Sequence, residues 1–421
     1  MPFLALLVLI AIIAATAGCA RELRELQPGP GAWTDEVFPG HIRRLTHFGE
    51  RADWSHDGKR ILFLSKTFGD AFELELATGI VRPLTHHYFH HGYTRALYLA
   101  NGDILLSGSR IFDPAHPWEA RTRTAELWVL RKELDKPAVP LGEYCSEGPA
   151  VSRKSLKIAW AVDHDNYPQR IPAGVSHIYL AEIDYSTGEP RLENKRLVLD
   201  GSRLDFKADL ETQNFVPPDE TWLTFSAYGY QGTEVMGLNL DTGEIVNYSK
   251  APNQYDEPEG VFPDGKHTLV ECDRHSGKGS NHIDLYKLAL DGSGRLERLT
   301  WFNEGGVFKA SNPVVSDDGR FIAFQVPRAD WVAGVGRGIY LMDLEAAGRR
   351  ESFRCERFRP TFSLLGDRQS SAWDVSLTTA TAIEANQLEH HFKTVFRKVS
   401  GPSLEPIRPA RNRAGTPNEA V

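Results

Sequence analysis

Short runs of alternating apolar and polar residues recur along the middle of the chain, each beside a tight-turn signal. The segments ADWSHDGKRILFLS (52–65), GVFPDGKHTLVEC (260–272) and PVVSDDGRFIAFQ (313–325) place Asp-Gly between two apolar runs. Asp-Gly readily adopts the positive φ angles of a hairpin turn, so each segment predicts two antiparallel strands. A third alternating strand then ends at a glycine turn, as in FELELATG (72–79) and VMGLNLDTG (235–243). With the Leu-Thr strand that follows, the pattern predicts units of four short strands.

Units of this kind begin near residues 52, 95, 149, 215, 260 and 313. Four-stranded units repeated at roughly 40 to 65 residues are typical of a β-propeller, which leaves only short sheet edges exposed. We therefore predict an all-β fold, a six-bladed β-propeller of four-stranded antiparallel blades over residues 41–348, with seven blades as the alternative. A β-sandwich is disfavoured because it would not repeat one turn at a blade-sized interval.

Two of the repeats carry a family resemblance. DWSHDGKRILFLS and EGVFPDGKHTLVE resemble the WD-like repeats of the TolB family, whose usual form is a Pro-Asp-Gly-Lys turn after Trp-Ser; His56 replaces the proline in the first copy. The resemblance covers roughly residues 43–346 and implies a β-propeller. The shared residues belong to turns and core, so the resemblance implies a fold and not an activity.

The N-terminal residues predict export. Residues 3–17 form an apolar run that is too short for a membrane-spanning helix and fits the core of a signal peptide. The following Thr-Ala-Gly-Cys resembles the lipobox of bacterial lipoproteins, which implies that residues 1–19 are a lipoprotein-type signal peptide and that Cys19 is acylated. An ordinary secretory signal is the alternative. We expect residues 20–40 to form a flexible tether, and the domain to lie on the periplasmic side of the outer membrane or in the periplasm.

Composition limits the remaining choices. The net charge of −8 and the pI of about 6.0 argue against a nucleic-acid partner. Beyond Cys19, three cysteines (Cys145, Cys272 and Cys355) allow at most one disulfide and leave its pairing open. Residues 349–399 do not continue the repeat, and residues 400–421, with four prolines, are typical of a disordered tail.

The loops that lead into the inner strands carry the candidate binding residues. In a propeller these loops lie on one face around the central channel, and here they are rich in histidine, aromatic, acidic and amide side chains, which suits a polar binding surface. The candidates are His47, Arg51, His86, His87, Tyr88, His90, His91, Tyr255, Asp256, Glu257, Glu259, Asn303, Glu304, Lys309 and Asn312.

The stretch THHYFHHGY (85–93) raises the question of a metal. His86 and His90, or alternatively His87 and His91, are the candidate ligands of a divalent ion (Mn, Zn or Ca). Glu259 or Asp256 would join them from across the channel, because imidazole and carboxylate groups bind such ions. The alternative is a solvated loop whose imidazoles bond to nearby backbone. The sequence has no CxxC or Cys/His zinc spacing, so we expect no structural zinc site.

These observations favour a binding or recognition scaffold for a protein or glycan ligand in the cell envelope, attached to the membrane by an N-terminal lipid. The alternative is a metal-dependent polysaccharide lyase or a related carbohydrate-active enzyme. Oligogalacturonate lyases are similar propellers that hold a divalent ion with histidines, although no motif here matches their ligands residue by residue. A serine hydrolase of the prolyl-oligopeptidase type is excluded, because the sequence lacks Gly-x-Ser-x-Gly.

Overall fold

The structure is a computed structural model that describes residues 33–146, 148–331 and 334–347. The predicted signal peptide with Cys19, most of the predicted tether, and residues 349–421 with Cys355 lie outside the described residues. Within the described part, Cys145 and Cys272 are both buried free cysteines, and no helix is long and apolar enough to cross a membrane.

Antiparallel strands follow one another in groups of four. The first groups are β2–β5 (Glu50–Trp54, Arg60–Leu64, Ala71–Glu75, Val81–Pro83), β6–β9 (Arg95–Tyr98, Ile104–Ser109, Ala125–Leu130, Val139–Tyr144) and β10–β13 (Ala150–Val151, Lys157–Asp163, Ser176–Asp184, Arg191–Asp200). They are followed by β14–β17 (Asp209–Val216, Trp222–Tyr228, Gly232–Asn239, Ile245–Asn247) and β18–β21 (Gln254–Val261, His267–Cys272, Asp284–Ala289, Leu296–Arg298). The last group combines β1 (Ile42–Arg44) with β22–β24 (Ser311–Val315, Phe321–Gln325, Ile339–Asp343). A short helix, α1 (Glu119–Thr122), and a 3-10 turn (Gly201–Arg203) lie in connections.

The strand pairing is that of a propeller. Four of the groups are separate four-stranded sheets, and β14–β21 form one sheet of eight strands. In that sheet β16 and β18 meet only through the parallel pairs Gly232–Gln254 and Thr233–Tyr255. The prediction of an all-β, propeller-like architecture is confirmed.

The two ends of the described chain share one sheet. Strand β1 pairs antiparallel with β24, with Ile42 opposite Met342 and Arg44 opposite Tyr340. Without this pairing, β1 and β24 would each present an unpaired strand edge. The pairing therefore covers both edges where the two ends of the described chain meet.

Each sheet is apolar on both faces because it lies between two neighbours. In β3, Ile61 and Phe63 pack with Ile339 of the preceding sheet, whereas Leu62 and Leu64 belong to the cluster shared with the following sheet. These four apolar side chains of β3 are fully buried. Successive residues of a strand point to opposite faces, so a continuous apolar run is what such a position requires.

The first strands of the groups pack against one another and carry bulges. Strand β2 contacts β6 and β22, and β18 contacts β14 and β22. The pairing register shifts between Glu50 and Asp53 in β2, Thr212 and Asn214 in β14, Pro258 and Val261 in β18, and Ser311 and Val314 in β22. Bulges re-aim side chains, and Arg51 and Asn312 within them have φ angles of 54° and 47°, which are costly outside glycine.

Trp54 allows a test of the contact between the first and last sheets. Its ring is 1% exposed and its Nε1 donates to the Val314 carbonyl at 3.2 Å. We expect Trp54→Ala to lower the free energy of unfolding by about 3–5 kcal/mol, the cost typical of deleting a buried aromatic ring, as measured by urea denaturation. Trp118→Ala is the control, because Trp118 is 42% exposed. Equal denaturation midpoints for the two variants would contradict the packing described.

Candidate functional site

An ion pair crosses the centre of the channel. Arg95 of β6 donates from Nη2 to Glu211 of β14 at 2.8 Å, and its Nη1 lies 4.0 Å from Glu259 of β18. The Arg95 side chain is 13% exposed and that of Glu211 2%. A Cβ at Gly148 would lie 2.7 Å from Nε of Arg95, so glycine is needed there for the guanidinium to reach its partners.

Three buried carboxylates meet beside this ion pair, and we call them the glutamate triad. Glu257 and Glu259 of β18 and Glu271 of β19 each offer an oxygen, and these oxygens all lie within 4.8 Å of one another. Asn312 positions two of them, since its backbone N–H donates to Glu271 at 2.5 Å and its Nδ2 to Glu259 at 2.8 Å. The positive φ of Asn312, which asparagine adopts more readily than most residues, accompanies this placement of both of its donors at the triad.

Two tyrosines complete the environment of Glu257. The Tyr228 hydroxyl lies 2.7 Å from Glu211 and is also hydrogen-bonded to Glu257, and the Tyr255 hydroxyl donates to Glu257. One hydroxyl carries one proton, so both contacts of Tyr228 are hydrogen bonds only if a carboxyl group supplies the second proton. Glu257 in its protonated form can do so.

The pKa values in the centre divide the acids into two kinds. Burial raises the pKa of Glu257 and of Glu259 to about 8 and that of Glu271 to about 7, and the charges of neighbouring glutamates add to each shift. For Glu211, burial acts in the same direction, but the charge of Arg95 and the Tyr228 hydrogen bond outweigh it and lower the pKa. Glu211 is therefore ionised at neutral pH, whereas the triad retains protons because too little positive charge contacts it.

The channel contains two cavities. The larger, of about 770 Å³, has Arg95, Glu211, Glu257 and Glu271 at its base and is walled by residues of the loops that lead into the inner strands and of the loops between second and third strands. The smaller cavity, of about 320 Å³, lies at the other ends of the inner strands. Both are lined by Arg51, Arg95 and Asn312, which thus form the layer between them.

The structure brings together part of the predicted site. The predicted residues that line one or both cavities are Arg51, Tyr255, Glu257, Glu259, Lys309 and Asn312. Lys309 donates to the Ser280 carbonyl at 2.9 Å, and burial lowers its pKa although Glu271 and Glu257 oppose this.

Other predicted residues have structural partners away from the triad. Asp256 is fully buried and accepts from Arg274 at 2.7 Å, because it alternates with Glu257 and so faces the opposite side of β18. Asn303 contacts His275 at 3.2 Å, Glu304 pairs with Arg298 at 2.5 Å, and His47 is exposed.

The histidine stretch turns back on its own sheet. His90 Nε2 lies 3.0 Å from Asp70, its Nδ1 accepts from the Gly92 N–H at 2.9 Å, and its ring stacks on Tyr93. Tyr88 bonds to Tyr93, His86 and His87 are exposed, and His91 packs edge-on against Phe89. Both ring nitrogens of His90 are thus engaged locally. The convergence of His86 and His90 with Glu259 or Asp256 is not what the described residues form; the oxygens that meet are those of the glutamate triad.

Two residues of the centre were not predicted: Glu211 and Glu271. They lie inside strands, where sequence analysis looks for core residues, and not in the loops. Their signal is a charged residue at an interior position of an otherwise apolar strand, as in the sequence HTLVEC of β19. A buried charge at such a position must be paired or neutralised. It therefore indicates that this side of the strand borders a polar channel.

No protein-family model and no curated protein matches the chain significantly. Similar solved structures include a putative TolB from Agrobacterium tumefaciens (16% identity, 72% of this chain and 84% of that chain, TM-score 0.35). They also include a gluconolactonase from Xanthomonas campestris (12%, 72% and 89%, 0.47) and an oligogalacturonate lyase from Vibrio parahaemolyticus (13%, 72% and 93%, 0.43). These are similarities of fold at low identity, and they assign neither an activity nor a ligand to this chain.

The triad predicts a pH-dependent stability. A carboxyl group whose pKa is raised on folding, here from 4.5 to about 7–8, stabilises the folded state below the unfolded pKa and loses that contribution as the pH rises through the folded pKa. We expect the melting temperature, in chelator, to fall from about pH 5 to about pH 9 more steeply in the wild type than in the variant with Glu257→Gln and Glu259→Gln.

The control for this experiment is Glu297→Gln on β21, because Glu297 is exposed. This variant should keep the wild-type slope of melting temperature against pH. Equal slopes in all three proteins would show that the triad does not take up protons on folding.

Proposed function

We propose that this chain is an extracytoplasmic recognition propeller, held at the membrane by an N-terminal lipid, whose larger cavity binds a glycan of the cell envelope. The observation that carries the proposal is the cavity of about 770 Å³ over a buried charged base. Its volume is in the range of small-ligand sites. Carboxylates, guanidinium groups and tyrosine hydroxyls on its walls supply the many donors and acceptors that a hydroxyl-rich ligand needs.

Trp331 supports a sugar as the ligand. It lines the larger cavity with 43% of its surface exposed, and the Arg337 and Arg328 guanidinium groups lie 4.6 and 5.9 Å from its ring. These cations hold the indole in place while leaving ring surface open. An indole so placed can pack against the apolar face of a sugar ring while polar groups below it bind the hydroxyls.

We infer that the glutamate triad holds a divalent cation as part of this site. The residues fit such an ion: buried carboxylate oxygens suit Ca²⁺ or Mn²⁺, whereas zinc sites favour nitrogen and sulfur ligands. The raised pKa values support the inference, because a cation would replace the protons that neutralise the triad in its absence. When bound, the ion would supply a positive charge that attracts oxygen atoms of the ligand.

We also propose that the ring has six blades. The eight-stranded sheet is then two blades that touch at one end, because β16 and β18 share two residue pairs whereas β15 and β16 share seven. Each half has the same strand order as the separate four-stranded sheets.

A metal-dependent carbohydrate lyase remains the alternative function, favoured by one observation. The hydroxyls of Tyr228 and Tyr255 bond to Glu257 beside Arg95, which places proton-transfer groups next to a cation that could neutralise a substrate carboxylate. We prefer recognition because binding a ligand requires only the cavity, whereas a lyase also requires the proton-transfer groups and the cation.

The cation inference is tested by calorimetric titration of metal-free protein with Ca²⁺ and with Mn²⁺. We expect binding of about one equivalent, weakened on the order of tenfold or more by Glu271→Gln or Glu259→Gln, since each removes one charged ligand. His86→Ala and His90→Ala are the matched controls and should bind like the wild type. Binding that is lost in the histidine variants and kept in the glutamate variants would show that the ion binds at residues 85–93 and not at the glutamate triad.

The glycan proposal is tested by saturation-transfer NMR with neutral and acidic oligosaccharides. We expect at least one to bind, and Trp331→Ala to weaken it by about tenfold because the stacking surface is lost. Trp118→Ala serves as the control. Binding by none of them, together with capture of an envelope protein, would replace the glycan with a protein ligand. Cleavage of an acidic oligosaccharide to an unsaturated product, stopped by chelation, would establish the lyase.

A further inference from the structure

The connections between the second and third strands differ in length from one group of strands to the next. The groups are counted in chain order, from β2–β5 as the first to the group that contains β22–β24 as the sixth. In the first and fourth groups the connections are short, comprising residues 65–70 and 229–231. The long connections of the second, third, fifth and sixth groups are residues 110–124, 164–175, 273–283 and 326–338.

The long connections, and not the short ones, wall the larger cavity. Each long connection contributes to the lining; examples in chain order are Thr122, His164, Asn281 and Trp331. Of the described residues 65–70 and 229–231, none lines the cavity. At the first and fourth groups the lining consists of inner-strand residues, among them Glu50 and Asp209. The wall is therefore low at these two groups.

The two low positions lie opposite each other. Inner strands of neighbouring groups are in contact, β2 with β6 and β22, and β14 with β10 and β18. In the ring of six blades proposed above, the first and fourth groups are thus three places apart. The long connections form two ridges, one over the second and third groups and one over the fifth and sixth. Between the ridges an open path crosses the mouth of the larger cavity, and we call it the mouth cleft.

Hydrogen bonds hold each ridge together. In the first ridge, Asn166 is 6% exposed and its Nδ2 donates to the Thr122 and Arg123 carbonyls, both at 3.0 Å. In the second ridge, Lys309, on the loop that leads into the sixth group, donates to the Ser280 carbonyl at 2.9 Å. The ridges are therefore fixed walls, and the cleft between them stays open.

An aromatic side chain lies at the end of the cleft over the fourth group. Tyr230 belongs to the short connection 229–231, and its ring stacks on Phe206 with the centroids 4.0 Å apart. Both rings are half-buried. A partly exposed tyrosine at this place can pack against a sugar that lies outside the cavity.

We propose that the larger cavity binds an internal segment of a linear glycan, whose chain lies along the mouth cleft and leaves over the first and fourth groups. This inference rests on the glycan function proposed above and adds which part of the glycan is bound. A pocket walled on all sides accepts only a chain end. A cleft that is open at two opposite ends allows the chain to continue in both directions.

The test is calorimetric titration of the full chain with linear oligosaccharides of two, four, six and eight sugars. One series is neutral (β-1,4-linked glucose) and one is acidic (β-1,4-linked mannuronate). In the series that binds, we expect the affinity to rise about tenfold or more from two to six sugars. Blocking either end of the six-sugar chain with a bulky aromatic group should change the affinity by less than about threefold.

Tyr230→Ala tests the path over the fourth group. It should weaken binding of the six-sugar chain about fivefold and leave that of the two-sugar chain unchanged, because Tyr230 lies outside the cavity. Ile80→Ala is the control, since Ile80 is 60% exposed in the turn between β4 and β5, at the opposite face. Equal effects of Tyr230→Ala on both chain lengths would overturn this path.

The possible results separate the cleft from the glycan function. Loss of binding when one end is blocked, or equal affinity for two and six sugars, overturns the cleft and leaves glycan binding intact. Binding by no member of either series counts against the glycan function and overturns the cleft with it. The end-blocked chains are tested on the wild type, so the decision does not depend on how well a variant folds.

Discussion

The buried guanidinium of Arg95 is the group on which the centre of the channel depends. It reaches from β6 to Glu211 on β14 and lies near Glu259 on β18, so one side chain connects three inner strands. A buried charge is stable only when it is paired and hydrogen-bonded, and the Glu211 carboxylate meets that requirement. The same pairing leaves the glutamate triad with little positive charge of its own, so its acids take up protons. The lowered pKa of Glu211 and the raised pKa values of the triad therefore follow in part from where a single arginine is directed.

Packing between sheets explains why these polar groups gather at the channel. In a strand such as β3 both faces are covered by neighbouring sheets, and Ile61 to Leu64 are fully buried. Polar side chains cannot be accommodated there without unmade hydrogen bonds. The inner strands differ, because one edge faces the channel and their bulges turn side chains toward it. Charged, amide and strained residues thus collect in β2, β14, β18 and β22, where the fold leaves them partners or space.

The fold could be predicted from the sequence because its signals are local: Asp-Gly turns, apolar runs and their spacing. The site could be predicted only in part. Arg51, Tyr255, Glu257, Glu259, Lys309 and Asn312 were found because they lie in or beside loops that lead into the channel. Glu211 and Glu271 were missed because a single acid in a strand gives no sign of which face it occupies. The histidines of residues 86–91 illustrate the opposite error, since they were predicted to be ligands but do not reach the triad. Composition marked the loop, but the contact of His90 with Asp70, twenty positions earlier in the chain, decides which way it turns.

Arg51, Arg95 and Asn312 line both cavities, so a displacement of any of them would alter the walls of both. Asn312 donates to both Glu259 and Glu271, and its own carbonyl oxygen accepts from Gln325 at 2.8 Å. A ligand in either cavity that displaced Asn312 would remove donors from the triad and change the affinity of the triad for protons or a cation. Coupling of this kind is reciprocal, because the two binding free energies share one displacement. A channel lined only by apolar residues would lack this property, because no side chain in it could donate to the triad from the wall of both cavities.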